Sequence, residues 1–523
     1  MKNGFRQSMS WLHIWAGLVF GWVLYFMFLT GTLGYLDTEI DRWMQPELPA
    51  QDQTLSDLAL MQTAFTALQG LAPQAESWFV AMPVDRNEPW LRASWRMRAE
   101  PGLRPAGGEV RLDARTGQVL QGRETGGGQW LYRLHWRLHY LPSGVYEWIV
   151  GLATLVMLVT IVTGVIVHKK IFADFFTFRP GKGQRSWLDG HNLLAVLALP
   201  FHLMITYTGL IFAVYLYMSP VIMASYGQGM ASLSRFFEEF YGEHHHSGPI
   251  GMARPFAPLA PMLAEVARIT GGGRVYYIDV HDPGDANARI GITAGSQLPS
   301  RQKIGLEFDG ERGALLEISA PRSTVKVIGD SMMSVHEALF AGPLLRALFL
   351  FCGVAGTAMI GTGLVLWTVK RREKLKKRGG AHAWPWTVER LNVATVMGLP
   401  VAICAYFWAN RLLPLDLPGR AAWEQHALFL AWLAMLGHAL LRGPAAAWRE
   451  QAGLAGLAFL LLPLLNALTT DRHLGHSIPA GDWVMAGMDL GFLAVGLCFL
   501  WLAGHLTRHA ESNARVAIPL GAE

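Results

Sequence analysis

His191 and His202 lie eleven residues apart in one apolar stretch, from Leu188 to about Tyr217. On a continuous α-helix that spacing leaves them within roughly 20° of one face and about 16 Å apart along the axis. A histidine inside a bilayer is costly and usually has a partner or a task. Imidazole is an axial ligand of haem iron. Two imidazoles on one face of one membrane helix are how a b-type cytochrome stacks two haems across a bilayer. The chemistry implied is one-electron transfer through haem.

The elements that must carry these histidines are membrane spans. The chain has 523 residues, 52% of them apolar and 16% charged, with a positive mean hydropathy. That composition excludes an ordinary soluble protein. Eight apolar segments are long enough to span: Trp11–Thr32, Val145–Val167, Leu188–Tyr217, Leu344–Val369, Leu391–Asn410, Ala421–Leu441, Leu454–Leu468 and Trp483–Leu506. The seventh is the shortest. Basic residues collect beside alternate span ends: Lys2 and Arg6; Lys169, Lys170, Arg179, Lys182 and Arg185; the run from Lys370 to Arg378; Arg442 and Arg449; Arg508 and Arg515. All fall on one side, which predicts cytoplasmic termini. The net charge of +5 therefore reports topology, and nucleic acid is not an expected partner. The first span is too long for a signal peptide and lacks a small-residue cleavage site, so it reads as a retained anchor. Cys352, Cys404 and Cys498 all lie within spans and form neither CxxC nor CxxCH. Any haem is then held non-covalently.

Two long segments alternate with these spans. Each contains a hairpin signature, EVRLDARTGQVL (Glu109–Leu120) and GLEFDGERGALL (Gly305–Leu316), with Asp and Gly at matching places: Asp113 and Gly117, Asp309 and Gly313. Helical stretches, Leu55–Leu71 and Pro258–Thr270, precede them. Each segment reads as a small α+β domain. The same order recurs as an internal repeat. His13 precedes Thr30–Gly31 by the seventeen residues that separate His191 from Thr208–Gly209. The second and fourth spans both end on a Thr–Gly step, Thr163–Gly164 and Thr362–Gly363. Both units begin on the same side, so a pseudo-two-fold axis would run along the membrane normal. The expected division is span 1–36, outer domain 37–129, span 130–170, loop 171–187, span 188–218, outer domain 219–330, span 331–370, basic loop 371–389, an appended four-helix membrane bundle 390–507 and a tail 508–523.

With these features in hand the sequence resembles the PepSY-associated transmembrane family, and within it the haem-containing ferric-siderophore reductases of the bacterial inner membrane. The matching text is LHIWAGL (Leu12–Leu18), LHYLPSG (Leu138–Gly144), TGVIVHKK, Phe175–Asn192, PFHLMITYTG (Pro200–Gly209) and VHEALFAG (Val335–Gly342). It covers roughly residues 8–378. The resemblance implies a polytopic α-helical membrane protein with two periplasmic α+β PepSY-like domains, b-type haems on transmembrane histidines, and delivery of electrons to ferric chelates.

Within that frame His13 and His191, equivalent in the repeat, are the expected ligands of an inner haem; the competing reading makes one of them an interfacial histidine. His168 could replace His13 or serve as an ordinary interfacial cation. For a second, outer haem, His139 and His336 are repeat-equivalent. His202 has no repeat mate, since Leu24 takes its place in the first span. It is expected as a ligand with a partner among His139, His336 and His135. His135 is otherwise a propionate or substrate contact. Arg133, Arg137 and Arg185 read better as snorkelling or topology residues than as propionate partners. The run Glu243–His246 reads as a solvated loop before a metal site. His426, His438 and His505 read as structural.

The expected activity is an oxidoreductase with two non-covalent haems b. It takes electrons from a quinol or a cytosolic reductase and reduces a periplasmic ferric siderophore or other ferric chelate. Membrane lipid is its surroundings. No nucleotide fingerprint appears in the chain, so the donor is a separate molecule. The alternatives are a haem conduit to another periplasmic acceptor, a haem-free transporter, and a regulatory PepSY anchor. Asp and Glu are nearly absent from the first four spans, which disfavours proton-coupled transport.

Overall fold

The computed structural model describes residues 4–49, 54–84, 86, 89–98, 106–168, 175, 178–241, 248–295, 303–319, 324–378 and 383–516. Lys169, Lys170 and the run Glu243–His246 lie outside them. In chain order the helices are α1 (Phe5–Leu33), α2 (Asp37–Met44), α3 (Asp57–Leu71), α4 (Gly127–Arg133), α5 (Ser143–Val167), α6 (Gln184–Leu197), α7 (Leu199–Gly209), α8 (Val214–Tyr226), α9 (Met230–Tyr241), α10 (Leu259–Thr270), α11 (Thr324–Glu337), α12 (Pro343–Arg378), α13 (Ala383–Val396), α14 (Gly398–Leu412), α15 (Arg420–Leu441), α16 (Pro444–Thr469), α17 (Leu474–Ser477) and α18 (Trp483–Val516). The strands are β1 (Ser77–Ala81), β2 (Leu91–Arg96), β3 (Gly107–Leu112), β4 (Val119–Leu120), β5 (Arg274–His281), β6 (Arg289–Gly295), β7 (Lys303–Asp309) and β8 (Leu315–Ile318).

Two units result, one of Met1–Pro46, Arg123–Ala213 and Ala341–Glu523, the other of Glu47–Gly122 and Val214–Phe340. The first is helical. Among the described residues six helices are long and apolar enough to cross a membrane, or seven if the bent pair α6 and α7 is one span. Eight were expected. The segment expected at Ala421–Leu441 does form a helix, α15, of 22 residues. Glu424, Gln425, His426 and His438 dilute its apolarity. The segment that looked shortest is part of α16, a 26-residue span.

The continuous helix expected through His191 and His202 is not there. α6 and α7 meet at Ala198 with a 67° bend. Pro200 has no N–H to give to the preceding turn, and its ring clashes with the carbonyl four residues back, so the chain breaks there and restarts. The two histidines therefore do not share one helical face.

In this unit α1 packs against α5 and α12, and α6 against α12. The later helices dock through a buried polar clamp. Arg420 and Glu424 are an ion pair, both wholly buried. Glu424 also accepts from Asn410 Nδ2 at 2.7 Å and from Thr125 Oγ1. Arg420 donates to the Glu124 carbonyl at 2.8 Å. Arg411 lies 3.7 Å over the Trp43 ring, and Trp43 Nε1 donates to Asp489 at 2.8 Å.

The second unit holds one antiparallel sheet in the order β4-β3-β2-β1-β5-β6-β7-β8. The two outer segments, read from sequence as separate small domains, thus share a sheet. They join where β1 pairs with β5, from Ser77 opposite His281 to Ala81 opposite Tyr277. Each strand would otherwise be an open edge with unpaired N–H groups, and pairing removes both edges. One face buries Trp78, Val80, Ile278, Val280, Ile290, Ile292 and Phe308 against Leu60, Met61 and Leu68 of α3 and Met262 and Val266 of α10. Full burial of such side chains stabilises by about 1.5–3 kcal/mol each. Both expected hairpins form. Asp113 Oδ1 accepts from the N–H groups of Arg115 and Thr116, and Asp309 Oδ1 from those of Glu311 and Arg312. Gly117 and Gly313 follow at φ +71 and +68, a conformation that glycine adopts without strain.

Candidate functional site

The helical unit brings His13 and His191 together edge-on, their ring centres 6.4 Å apart and their planes at 70°. Each ring lies in a groove of a neighbouring helix. His13 Nδ1 is 2.9 Å from the Thr160 carbonyl of α5, and His191 Nδ1 is 2.9 Å from the Met359 carbonyl of α12. A carbonyl only accepts, so each Nδ1 carries the proton and each Nε2 keeps a bare lone pair. That is the tautomer a metal ligand needs, with its second nitrogen oriented by a carbonyl.

Four residues beyond each carbonyl stands a glycine. A Cβ built at Gly164 would be 3.1 Å from His13 Cε1, and one at Gly363 would be 3.1 Å from His191 Cε1. The glycines leave room for the imidazoles to lie against the helix backbone. These are the Thr–Gly steps that end the second and fourth spans in the repeat, so the two contacts are repeat-equivalent.

The arrangement recurs at two more histidines without the symmetry. His135 Nδ1 is 2.6 Å from the Met27 carbonyl, and Gly31, four residues on, lies beneath its ring. His202 lies over Gly356, where a Cβ would be 3.0 Å from Nε2. Its ring faces two backbone groups, those of Cys352, four residues earlier, and of Ala195, without meeting hydrogen-bond geometry at either. His202 is 1% exposed, and neither ring nitrogen has a hydrogen-bond partner. A buried polar group left so costs about 1–3 kcal/mol. Its ring packs edge-on against Phe28 at 6.4 Å. Phe28 lies in the α1 turn that carries Met27 and Gly31, so His135 and His202 gather around one stretch of α1.

The remaining candidates fall elsewhere. His168 caps α5, its Nε2 2.7 Å from Asn192 Nδ2. His139 stacks on Phe429 of α15 at 5.7 Å, and its Nδ1 accepts from Trp130 Nε1 at 3.3 Å. Burial lowers its basicity from the usual imidazole value. His336 lies on α11, in the other unit. His426, read as structural, receives Tyr140 Oη at Nδ1 with 2.7 Å between them. His438 Nε2 is 2.9 Å from Glu450. Among the described residues no group of three or more His, Cys, Asp or Glu side chains is placed to hold a metal ion. The donor set is instead one close pair, His13 and His191. A single ion between two imidazoles, bonded at about 2 Å to each, sets the ring centres roughly 6 Å apart. The His13–His191 separation meets that requirement.

The glycine signal was present in the sequence as the repeated Thr–Gly steps. Its role was not, because only the packing shows which helix receives which ring. The family model of the PepSY-associated TM region matches residues 10–370. The chain belongs to this family. The match takes in all four cradled histidines and ends inside α12, so the helices from α13 onward lie beyond the PepSY-associated region. No curated protein matches the chain.

Proposed function

We propose that this protein is a haem-bearing membrane electron carrier that reduces a ferric chelate of siderophore type on the outer face of a bacterial inner membrane, its basic loops and termini cytoplasmic. The observation that supports it is the close pair His13 and His191, each held by a backbone carbonyl at Nδ1 and left bare at Nε2. This pair would hold one haem b. His202 would hold a second, with His135 as its candidate partner because both pack on the Met27–Gly31 stretch of α1.

Haem bound between paired imidazoles supplies one-electron transfer without an open coordination position. The residues of the chain orient the ligands and exclude water. Thr160 and Met359 fix the tautomer, Gly164 and Gly363 admit the rings, and Phe28 and Phe201 wall His202. The substrate is ferric iron in hard oxygen donors, which hold the ferrous ion far more weakly, so one electron frees the metal.

The test is an absorbance spectrum of the purified protein, oxidised and dithionite-reduced, with a haem-to-protein ratio. Two low-spin b-type haems per chain are expected, one lost in both H13A and H191A and the other in H202A. Protein made with ample haem supply yet free of haem would overturn the proposal and favour a transporter or a regulatory anchor.

A further inference from the structure

The repeat is broken one turn beyond the cradle glycines. Four residues after Gly164 stands His168, and four after Gly363 stands Trp367. In the first half His168 has a polar mate, Asn192, the neighbour of His191. In the second half the place next to His13 is taken by Ile14, which offers no polar group. Trp367 is 6% exposed, and its indole N–H is buried without an acceptor. Arg371, one turn further along α12, lies 3.8 Å over the Trp367 ring and 5.4 Å over that of Trp15. It has no carboxylate partner among the described residues.

Both groups only donate, and one is positive. Two tryptophan faces hold the guanidinium in place. The missing neighbour is therefore an anionic acceptor. The basic-loop end of a span explains an arginine at this position by itself. It does not explain a buried indole N–H left unpaired beside it.

We infer that Trp367 and Arg371 bind a carboxylate of the cofactor held between His13 and His191. The inference rests on the haem reading above. Haem b carries two carboxylates on one edge, and the first-half counterpart of Trp367 is already satisfied by Asn192. Trp367 and Arg371 would thus hold that carboxylate at the basic-loop end of α12.

The experiment measures transfer of haem from the purified full-length protein to apomyoglobin, with the inner haem identified as the component missing in H13A. Trp367→Phe keeps the ring and deletes only the donor; Arg371→Gln deletes the charge. Each is expected to speed release of the inner haem about tenfold, as loss of a charge-assisted contact should, and to leave the outer haem unchanged. The double variant I14N/W367H rebuilds the first-half pair and is expected to behave like Trp367→Phe. Wild-type release rates in all three variants would overturn the inference while leaving the haem reading intact. So would a difference seen only in nanodiscs of anionic lipid and not in phosphatidylcholine, since the acceptor would then be a lipid phosphate. A wild-type protein without haem would overturn the reading beneath it instead.

Discussion

Gly164 and Gly363 occupy the same place in the two halves of the chain, each beneath the imidazole of a histidine from a neighbouring helix. In an exposed helix interior, exchanging glycine for alanine stabilises by about 1 kcal/mol. Here the added methyl would press on the ring at 3.1 Å.

Haem-free Gly164→Ala and Gly363→Ala are therefore expected to melt no lower than haem-free parent, and the same variants supplied with haem to bind less of it, or to shift its reduced bands. Gly17→Ala is the control, because a Cβ there meets nothing within 4 Å. Absorbance and thermal denaturation on the same samples decide. Unchanged spectra in both variants would mean that the rings have slack and the glycines merely help the helices pack.

His202 gives a prediction with opposite signs in two states. Without a partner its buried nitrogens cost about 1–3 kcal/mol. His202→Leu should accordingly raise the melting temperature of haem-free protein. In haem-loaded protein the same change should remove one spectral component and lower the melting temperature. A lower melting temperature in both states would show that His202 is satisfied by the fold alone.

The buried pair Arg420 and Glu424 ties α15 to the segment that leads into α4. Removing one partner strands the other charge, which costs about 3–5 kcal/mol. Arg420→Met and Glu424→Leu should each destabilise by that order. The double variant should be milder than either. Thermal denaturation of the three reads this directly, and additive losses would argue against a coupled pair.

Asp285 accepts from the N–H groups of Asn287, Ile250, Gly251 and Met252, at 2.8 to 3.1 Å. These bonds, that of Asn287 first, hold its carboxyl below the usual aspartate range. A depressed carboxylate stabilises fully above its unfolded pKa of about 3.9 and loses that contribution as pH falls through the folded value. Amide exchange at residues 250–252 should then be flat in Asp285-dependent protection from neutral pH down to about 4 and rise only below it. In Asp285→Asn it should be faster throughout. Loss of protection near pH 6 would assign the effect to a histidine instead.

The sequence made some of this legible and hid the rest. The hairpins at Asp113 and Asp309 could be read because their turns depend on residues within five positions. The repeat, and with it the pairing of His13 with His191, followed from spacing alone. The break at Ala198 was announced by Pro200, but the apolar run on both sides reads as one span when hydropathy is averaged. The joining of β1 to β5 could not be read, since strand edges carry no mark of which partner they meet. His135 went unpaired with any element because its acceptor, Met27, is a backbone carbonyl, and every residue has one.

The shared sheet also imposes an order on synthesis. β1 is made long before β5, its central neighbour, and the third span must be laid down between them. Until then Trp78, Phe79 and Val80 sit on an open strand edge, a template for unwanted pairing. The first half made alone thus carries an edge that only the second half can close. Folding of the sheet cannot be completed half by half.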